Sequence, residues 1–252
     1  MREANRIAYA QARLQARFGT RPGEALWREL EAGRDLPHLL ETLRASGRTG
    51  LTQSLASSTG AHALESVLRS GWAARCREVG RWYPDAWREA IEWLAWLPWI
   101  APLGWLARRP DAAAWMQDDP LLGKLASAEI TGRSGLIESG PFAPLAPAWR
   151  DGSNLAAAWH AHWRDTWPAT DARARRGLAQ LAATLGAFLP GPSAQAFDAL
   201  VDASEATLTR IFRLHAGTPV AGLAFLCLLA LDRLRLRAAL AVARSFGQAR
   251  AA

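Results

Sequence analysis

The sequence is poor in the residues from which chemistry is usually built. Its 252 residues include two cysteines, two methionines and two tyrosines. Cys76 and Cys227 stand far apart with no C-x-x-C spacing. That excludes a redox dithiol or cysteine-based zinc motif and points to two reduced, buried thiols. His160 and His162 are separated by two positions, and on a helix such side chains point about 200° apart, so one helix cannot chelate a metal with both. Asp165 could join His162 one turn on, but two ligands do not make a zinc site. His38, His62 and His215 are isolated and are expected at the surface or in packing. The carboxylates Glu24, Glu29, Glu31, Asp118, Asp119 and Asp202 show no spacing that makes an acid–base dyad. There is no G-x-x-x-x-G-K-[ST], G-x-G-x-x-G or G-x-S-x-G motif. The glycines of GRSGLIESG neither follow a strand nor precede a lysine. No catalytic residue, cofactor or metal is expected, and no enzymatic role.

Long apolar runs are missing too. The most apolar stretch, IEWLAWLPWIAPLGWLA at 91–107, is shorter than the ~20 residues of a spanning helix. Glu92, Pro98, Pro102 and Gly104 also interrupt it. The opening MREANRIAYAQAR lacks the apolar run of a secretory signal. A soluble, cytoplasmic chain is expected, peripheral to the membrane and associated with it indirectly. Lysine is nearly absent: Lys124 is alone among 30 basic residues, which face 23 acidic ones for a formal charge of +7. That sign disfavours basic partners and leaves nucleic acid or anionic lipid open. A hydrophobic content of 50% excludes a disordered polybasic tail.

What is present is helical punctuation. Ile7, Ala10, Leu14 and Phe18 form one face of a first helix ended by Gly19. Leu26, Trp27 and Leu30 carry a second as far as Gly33. Asp35 is expected to cap a third, with Pro37 in its first turn. A fourth runs from about Ala61 to Val79, and Pro84-Asp85 opens a fifth that Pro98 and Pro102 kink or break. Asn154 is placed to cap a helix reaching Trp167, Thr170 to start one reaching about Leu189, and Ser193 one reaching His215. Thr218-Pro219 opens a final helix expected to close before Gly247. No segment alternates as a strand does, so the fold class is all-α. Residues 131–154, rich in Gly, Pro and Ser, are expected to form a linker or long loop between N-terminal (1–130) and C-terminal (155–252) helical parts.

Two residue types stand out. Twelve of the thirteen tryptophans lie between Trp72 and Trp167. Trp93, Trp96 and Trp99 step by three, with Trp105 following. They form either a tryptophan-rich core or a face that docks on another subunit or at lipid headgroups, where an indole's apolar body and N–H both find partners. Arginines cluster at Arg69, Arg75, Arg77 and Arg81, at Arg173, Arg175 and Arg176, and at Arg233, Arg235 and Arg237. Such groups can bind phosphate bidentately or face a partner subunit. No aromatic-interleaved or helix-turn-helix nucleic-acid motif accompanies them, and nucleic acid is not expected as a partner. The candidate partner-binding residues are Trp93, Trp96, Trp99, Trp105, Arg233 and Arg237.

Both ends of the chain carry a resemblance. Residues 9–17, YAQARLQAR, resemble the opening Y-x-x-A-R-x-x-A helix of the C-subunit family of V/A-type rotary ATPases, whose eukaryotic members are the d-type subunits. ALWRELEAG, DLPHLLETL and HALESVLRSG follow in that family's order, with Glu65 and Leu68 in its hydrophobic-Glu-x-x-Leu segment. Near the C-terminus, Phe225, Leu226, Cys227, Asp232, Leu236 and Arg237 occupy the Tyr, Leu, Leu, Glu, Leu and Arg places of its late Y-L-L-x-x-x-x-E-x-x-N-L-R helix, and Arg235 stands where the family has Asn. The resemblance covers about residues 5–80 and 193–247. It implies a funnel-like body of three helical-hairpin pseudo-repeats between the central rotor stalk and the membrane ring of an ion-translocating ATPase. In that role it passes torque, binds no nucleotide and catalyses nothing. The alternatives are a stand-alone helical module at a membrane surface, docking through its tryptophans, and an arginine-rich nucleic-acid-binding helical protein.

Overall fold

The computed structural model describes residues 3–33, 35–46, 60–189, 191 and 193–251. All regular structure among them is helical. In chain order the helices are α1 Glu3–Gly19, α2 Glu24–Ala32, α3 Leu36–Ala45, α4 Ala61–Gly80, α5 Asp85–Trp93, α6 Ile100–Arg108 and α7 Ala114–Gln117. They continue with α8 Gly123–Ser127, α9 Arg133–Glu138, α10 Ala146–Arg150, α11 Leu155–Asp165, α12 Ala172–Gly186, α13 Ala194–Leu214 and α14 Pro219–Ala251. No helix among the described residues is long and apolar enough to cross a membrane.

The chain divides into two compact units, Met1–Arg75 with Leu200–Ala252, and Cys76–Ala199. The first unit gathers both ends of the chain, and residues 131–154 lie inside the second.

The first unit is organised by α14, against which α1, α2 and α3 all pack. Over residues 219–231 α14 is apolar on every side, and Val220, Ala221 and the run Leu223–Leu228 are all buried, as a helix segment without a polar face must be. Beyond it only one stripe stays apolar. Leu236, Ala239, Leu240 and Ala243 recur at helical spacing and join Trp27 and Leu30 of α2, Leu36, Leu39, Leu40 and Leu43 of α3, and Leu64 and Leu68 of α4 in one core. Phe18 at the end of α1 stacks on Phe212 of α13, with ring centroids 4.6 Å apart. The turn from α13 into α14 passes through Gly217 at φ 77°, a conformation that favours glycine. The Gly217 N–H donates to Oε1 of Gln11 on α1, at 2.8 Å. Two details differ from expectation. Asp35 precedes α3, but its side chain makes no capping hydrogen bond. The final helix runs past Gly247 to Ala251, because a single glycine costs a helix only about 1 kcal/mol.

The second unit is built on indoles. α5 ends at Trp93, a 3₁₀ segment covers Leu94–Trp99 with Pro98 inside it, and α6 starts at Ile100 with Pro102 in its first turn. The prolines thus break the segment where the sequence placed the break, since neither can donate the N–H of a continuous helix. Asn154 caps α11 as expected, its Oδ1 accepting from the N–H groups of Ala156 and Ala157. Asp171, one residue after the expected start, caps α12 by accepting from Ala174 N–H. On α11, Trp159 and Trp163 lie one turn apart, stacked with centroids 6.2 Å apart and fully buried.

Residues 131–154 form α9, α10 and 3₁₀ turns rather than a linker. They supply Arg133, Ile137, Phe142, Leu145 and Trp149 to the interior. Arg133, 1% exposed, fills the role of a helix cap. Its guanidinium donates from Nη1 to the carbonyls of Leu106 (2.8 Å) and Arg109 (2.7 Å), from Nη2 to Pro110 (2.6 Å), and from Nε to Ala128 (3.2 Å). Leu106, Arg109 and Pro110 lie at the C-terminal end of α6, where carbonyls have no intrahelical partner and favour a cation.

Candidate functional site

Charged groups of the first unit converge on the middle of α14, where two clusters form. In the first, Arg21, in the turn after α1, grips Asp232 bidentately, Nε to Oδ2 and Nη2 to Oδ1, both at 2.8 Å. Its Nη2 also donates to Glu205 of α13 at 3.0 Å. One helical turn beyond Asp232, Arg235 donates from Nε to Glu31 at 2.7 Å and lies 3.5 Å from Glu24 and 4.0 Å from Glu205. Its guanidinium also covers the Trp27 ring, 4.7 Å from the centroid. Burial pulls the Arg21 guanidinium down, but its bonds to Asp232 and the attraction of Glu205 outweigh this and leave it above its ordinary value. The Arg235 guanidinium behaves alike: burial lowers it, and Glu31, Glu24 and Glu205 raise it further. Both arginines have several carboxylates around them, although the buried Nη1 of Arg235 reaches them only at 3.5–4.0 Å and makes no hydrogen bond.

The second cluster is not matched in that way. Glu65 on α4 accepts from Nε of Arg237 and lies 3.7 Å from Nη2 of Arg233, an ionic contact beyond hydrogen-bond length. Arg69, one turn after Glu65 on α4, is buried. Burial, opposed by Glu65 but reinforced by the repulsion of Arg237 and Arg69, pushes the Arg233 guanidinium down to about 10. It remains charged at neutral pH.

Compared with known proteins, the chain matches no protein family, no curated protein and no solved structure.

The six candidate partner-binding residues fall in different units. Arg233 and Arg237 come together with Glu65 in the first. The four tryptophans lie in the second and differ in exposure. Trp93 and Trp99 are core residues. The Trp93 indole donates to the carbonyl of Trp159 at 3.1 Å, a buried bond. Trp96 is half-buried and meets Phe142 edge-on, with centroids 5.3 Å apart. Trp105 is 38% exposed, but Arg109 covers its ring at 4.0 Å and its N–H donates to the Asp111 carbonyl. Within this unit the N–H groups of Trp93, Trp105 and Trp163 find carbonyl acceptors, whereas those of Trp99, Trp159 and Trp167 are buried without a hydrogen bond, so apolar and ring contact is what holds these indoles in common.

The two adjacent histidines diverge as their spacing requires. His160 Nε2 lies 2.9 Å from the Ala182 carbonyl, and His162 packs against Trp93 at 4.4 Å. No group of three or more His, Cys, Asp or Glu side chains that could hold a metal occurs among the described residues. An open groove of about 420 Å³ between α4 and α5 is lined by Arg77, Asp85, Glu89, Glu92 and Trp96, and presents both signs of charge without a nucleophile. Sequence reasoning missed Arg21 and Glu205, whose roles depend on partners about two hundred residues away. The i, i+4 spacing of Arg233 and Arg237 was the available signal for the second cluster.

Proposed function

We propose that this chain is a non-catalytic coupling subunit of a V/A-type rotary ATPase, linking the central rotor stalk to the membrane ring during ion transport. One observation carries the proposal. The segments that resemble the family, remote in sequence, fold into one unit, and positions of its two motifs meet there. Glu65, in the family's Glu position of the early segment, pairs with Arg237, in its Arg position of the late helix. Asp232, in the late helix's acidic position, is clamped by Arg21. A resemblance made of unrelated local patterns has no reason to bring these positions into contact.

In this role the chain works on the cytoplasmic side of the membrane and reaches it through its partners. The rigid groups available for transmitting torque are α14 and the helices α1 to α4 packed around it, tied by charge pairs as well as by the leucine core. The test is isolation of the full tagged chain from gently solubilised membranes of its native host. The expected result is co-elution with a P-loop catalytic subunit and a membrane ring in fixed proportion. Elution without them, from cells in which the ATPase is assembled, overturns the proposal.

A further inference from the structure

Three features invite a function beyond coupling: the groove beside α5, the outer face of α14, and the guanidinium cluster around Glu65. The groove carries charges of both signs, among them the Arg88–Asp85 pair, and nothing in it selects one ligand chemistry. The α14 face around Val242 shows nothing to say what covers it. The guanidinium cluster goes further.

We propose that Arg233 and Arg237, with Arg69 beside them, form a binding site for a phosphate group at the α4–α14 edge of the first unit. Arg233 is the centre of the argument. Its side chain is 15% exposed, so it has lost most of its hydration. Its Nε is buried and makes no hydrogen bond, and its Nη2 meets Glu65 only at 3.7 Å. A guanidinium placed this way has donors to offer and too little negative charge nearby, since Arg237 and Arg69 repel it while Glu65 attracts it.

Arg21, on the same helix bundle, shows what a satisfied arginine looks like here, with hydrogen bonds from Nε and Nη2 to carboxylates at 2.8–3.0 Å. Arg235 leaves its buried Nη1 without a hydrogen bond but still bonds Glu31 through Nε at 2.7 Å. Arg233 lacks such a bond. Arg237 ties its Nε to Glu65, yet its side chain is 57% exposed, leaving the rest of its fork accessible from solvent. Two forks four residues apart on one helix face, one half-sunk and one open, can grip different oxygens of a single anion. A phosphate monoester carries about −1.5 to −2 at neutral pH and three acceptor oxygens, which suits several guanidiniums better than a second carboxylate does. The shared chemistry is the phosphate group, whether on a lipid headgroup or free in solution. The inference rests on the geometry of this cluster and not on the coupling role, so either can fail without the other.

The test titrates the full chain with inorganic phosphate and follows the arginine Nε–Hε signals by NMR. A saturable shift of the Arg233 signal is expected. Arg237→Gln, an exposed change that should leave the fold intact, is expected to weaken binding at least fivefold, and Arg233→Gln to weaken it more. Glu65→Gln removes the competing carboxylate and is expected to tighten binding, whereas a purely structural Glu65 gives no gain. Phosphatidylcholine vesicles with and without phosphatidate then identify the source. Phosphatidate-dependent flotation that inorganic phosphate competes away assigns a lipid headgroup, and phosphate binding without flotation assigns a soluble phosphate. Absence of a saturable phosphate response, or a response unchanged in Arg233→Gln and Arg237→Gln, overturns the proposal.

Discussion

Arg133→Met removes every donor that closes the end of α6 while keeping a long, flexible side chain in the same space. Four carbonyls then lose their partner: Leu106, Arg109, Pro110 and Ala128. Leaving a buried polar group unsatisfied costs about 1–3 kcal/mol each. Part of that is recovered, because a fully desolvated guanidinium is itself expensive and no carboxylate bonds to it here. Only the bond to the Leu106 carbonyl is fully buried, and water can take the place of Arg133 at the part-buried carbonyls of Arg109, Pro110 and Ala128. The net loss is therefore about 2 kcal/mol, still a sizeable share of the 5–15 kcal/mol typical of a folded protein. With a urea m-value of about 2 kcal/mol/M, the midpoint falls by about 1 M. Tryptophan fluorescence reports the transition directly, since the indole core belongs to the same unit. Arg133→Lys, with three donors on one nitrogen, should recover part of the loss. A midpoint shift under about 0.5 M for Arg133→Met refutes the claim that this side chain caps α6.

Further predictions concern charge, thiols and the core. A double-mutant cycle between Glu65 and Arg237 should give a coupling of about 0.5 kcal/mol, because Arg237 is mostly in solvent and such pairs are screened; a coupling above 2 kcal/mol contradicts that assignment. Cys76 and Cys227 are both buried, and burial pushes the Cys227 thiol up to about 12. The native protein at pH 8 should therefore resist a thiol reagent that labels both cysteines in urea, and rapid native labelling of Cys227 rejects its burial. Phosphate affinity should rise from pH 6 to 8 as the dianion forms, and fall above about 10, where Arg233, placed among Glu65, Arg237 and Arg69, loses its proton. An affinity still rising at pH 11 contradicts the role of Arg233. Leu240→Ala, in the core shared by α2, α3, α4 and α14, should cost about 3 kcal/mol by urea denaturation, and a cost below 1 kcal/mol means that the core is not packed as described.

Helices long enough to repeat a pattern were legible in the sequence. Ala10 and Leu14, four apart, are the buried residues of α1, and Asn154 caps α11 through the hydrogen bonds its residue type suggests. The stretch 131–154 was not legible, because α9, α10 and the turns beside them are too short to show a period and rich in residues that usually mark loops. Trp96 and Trp99 do step along a 3₁₀ turn, whose three-residue period aligns them. The contact of Trp96 with Phe142 and the burial of Trp99 are tertiary facts that spacing does not carry. The same holds for the candidate site: the sequence singles out Arg233 and Arg237 as a pair, but Glu65 is 172 positions away from Arg237 and becomes its partner only when the chain ends fold together. A unit made from both ends of the chain is likewise a product of folding that contiguous sequence segments do not display.

The coupling role is tested most directly in inverted membrane vesicles from the native host, with and without the gene for this chain. ATP hydrolysis and ATP-driven ion uptake are measured on the same preparation. The account predicts that loss of the chain abolishes ion uptake while the catalytic head still hydrolyses ATP, and that supplying the chain restores uptake. Ion uptake that proceeds unchanged without the chain contradicts it.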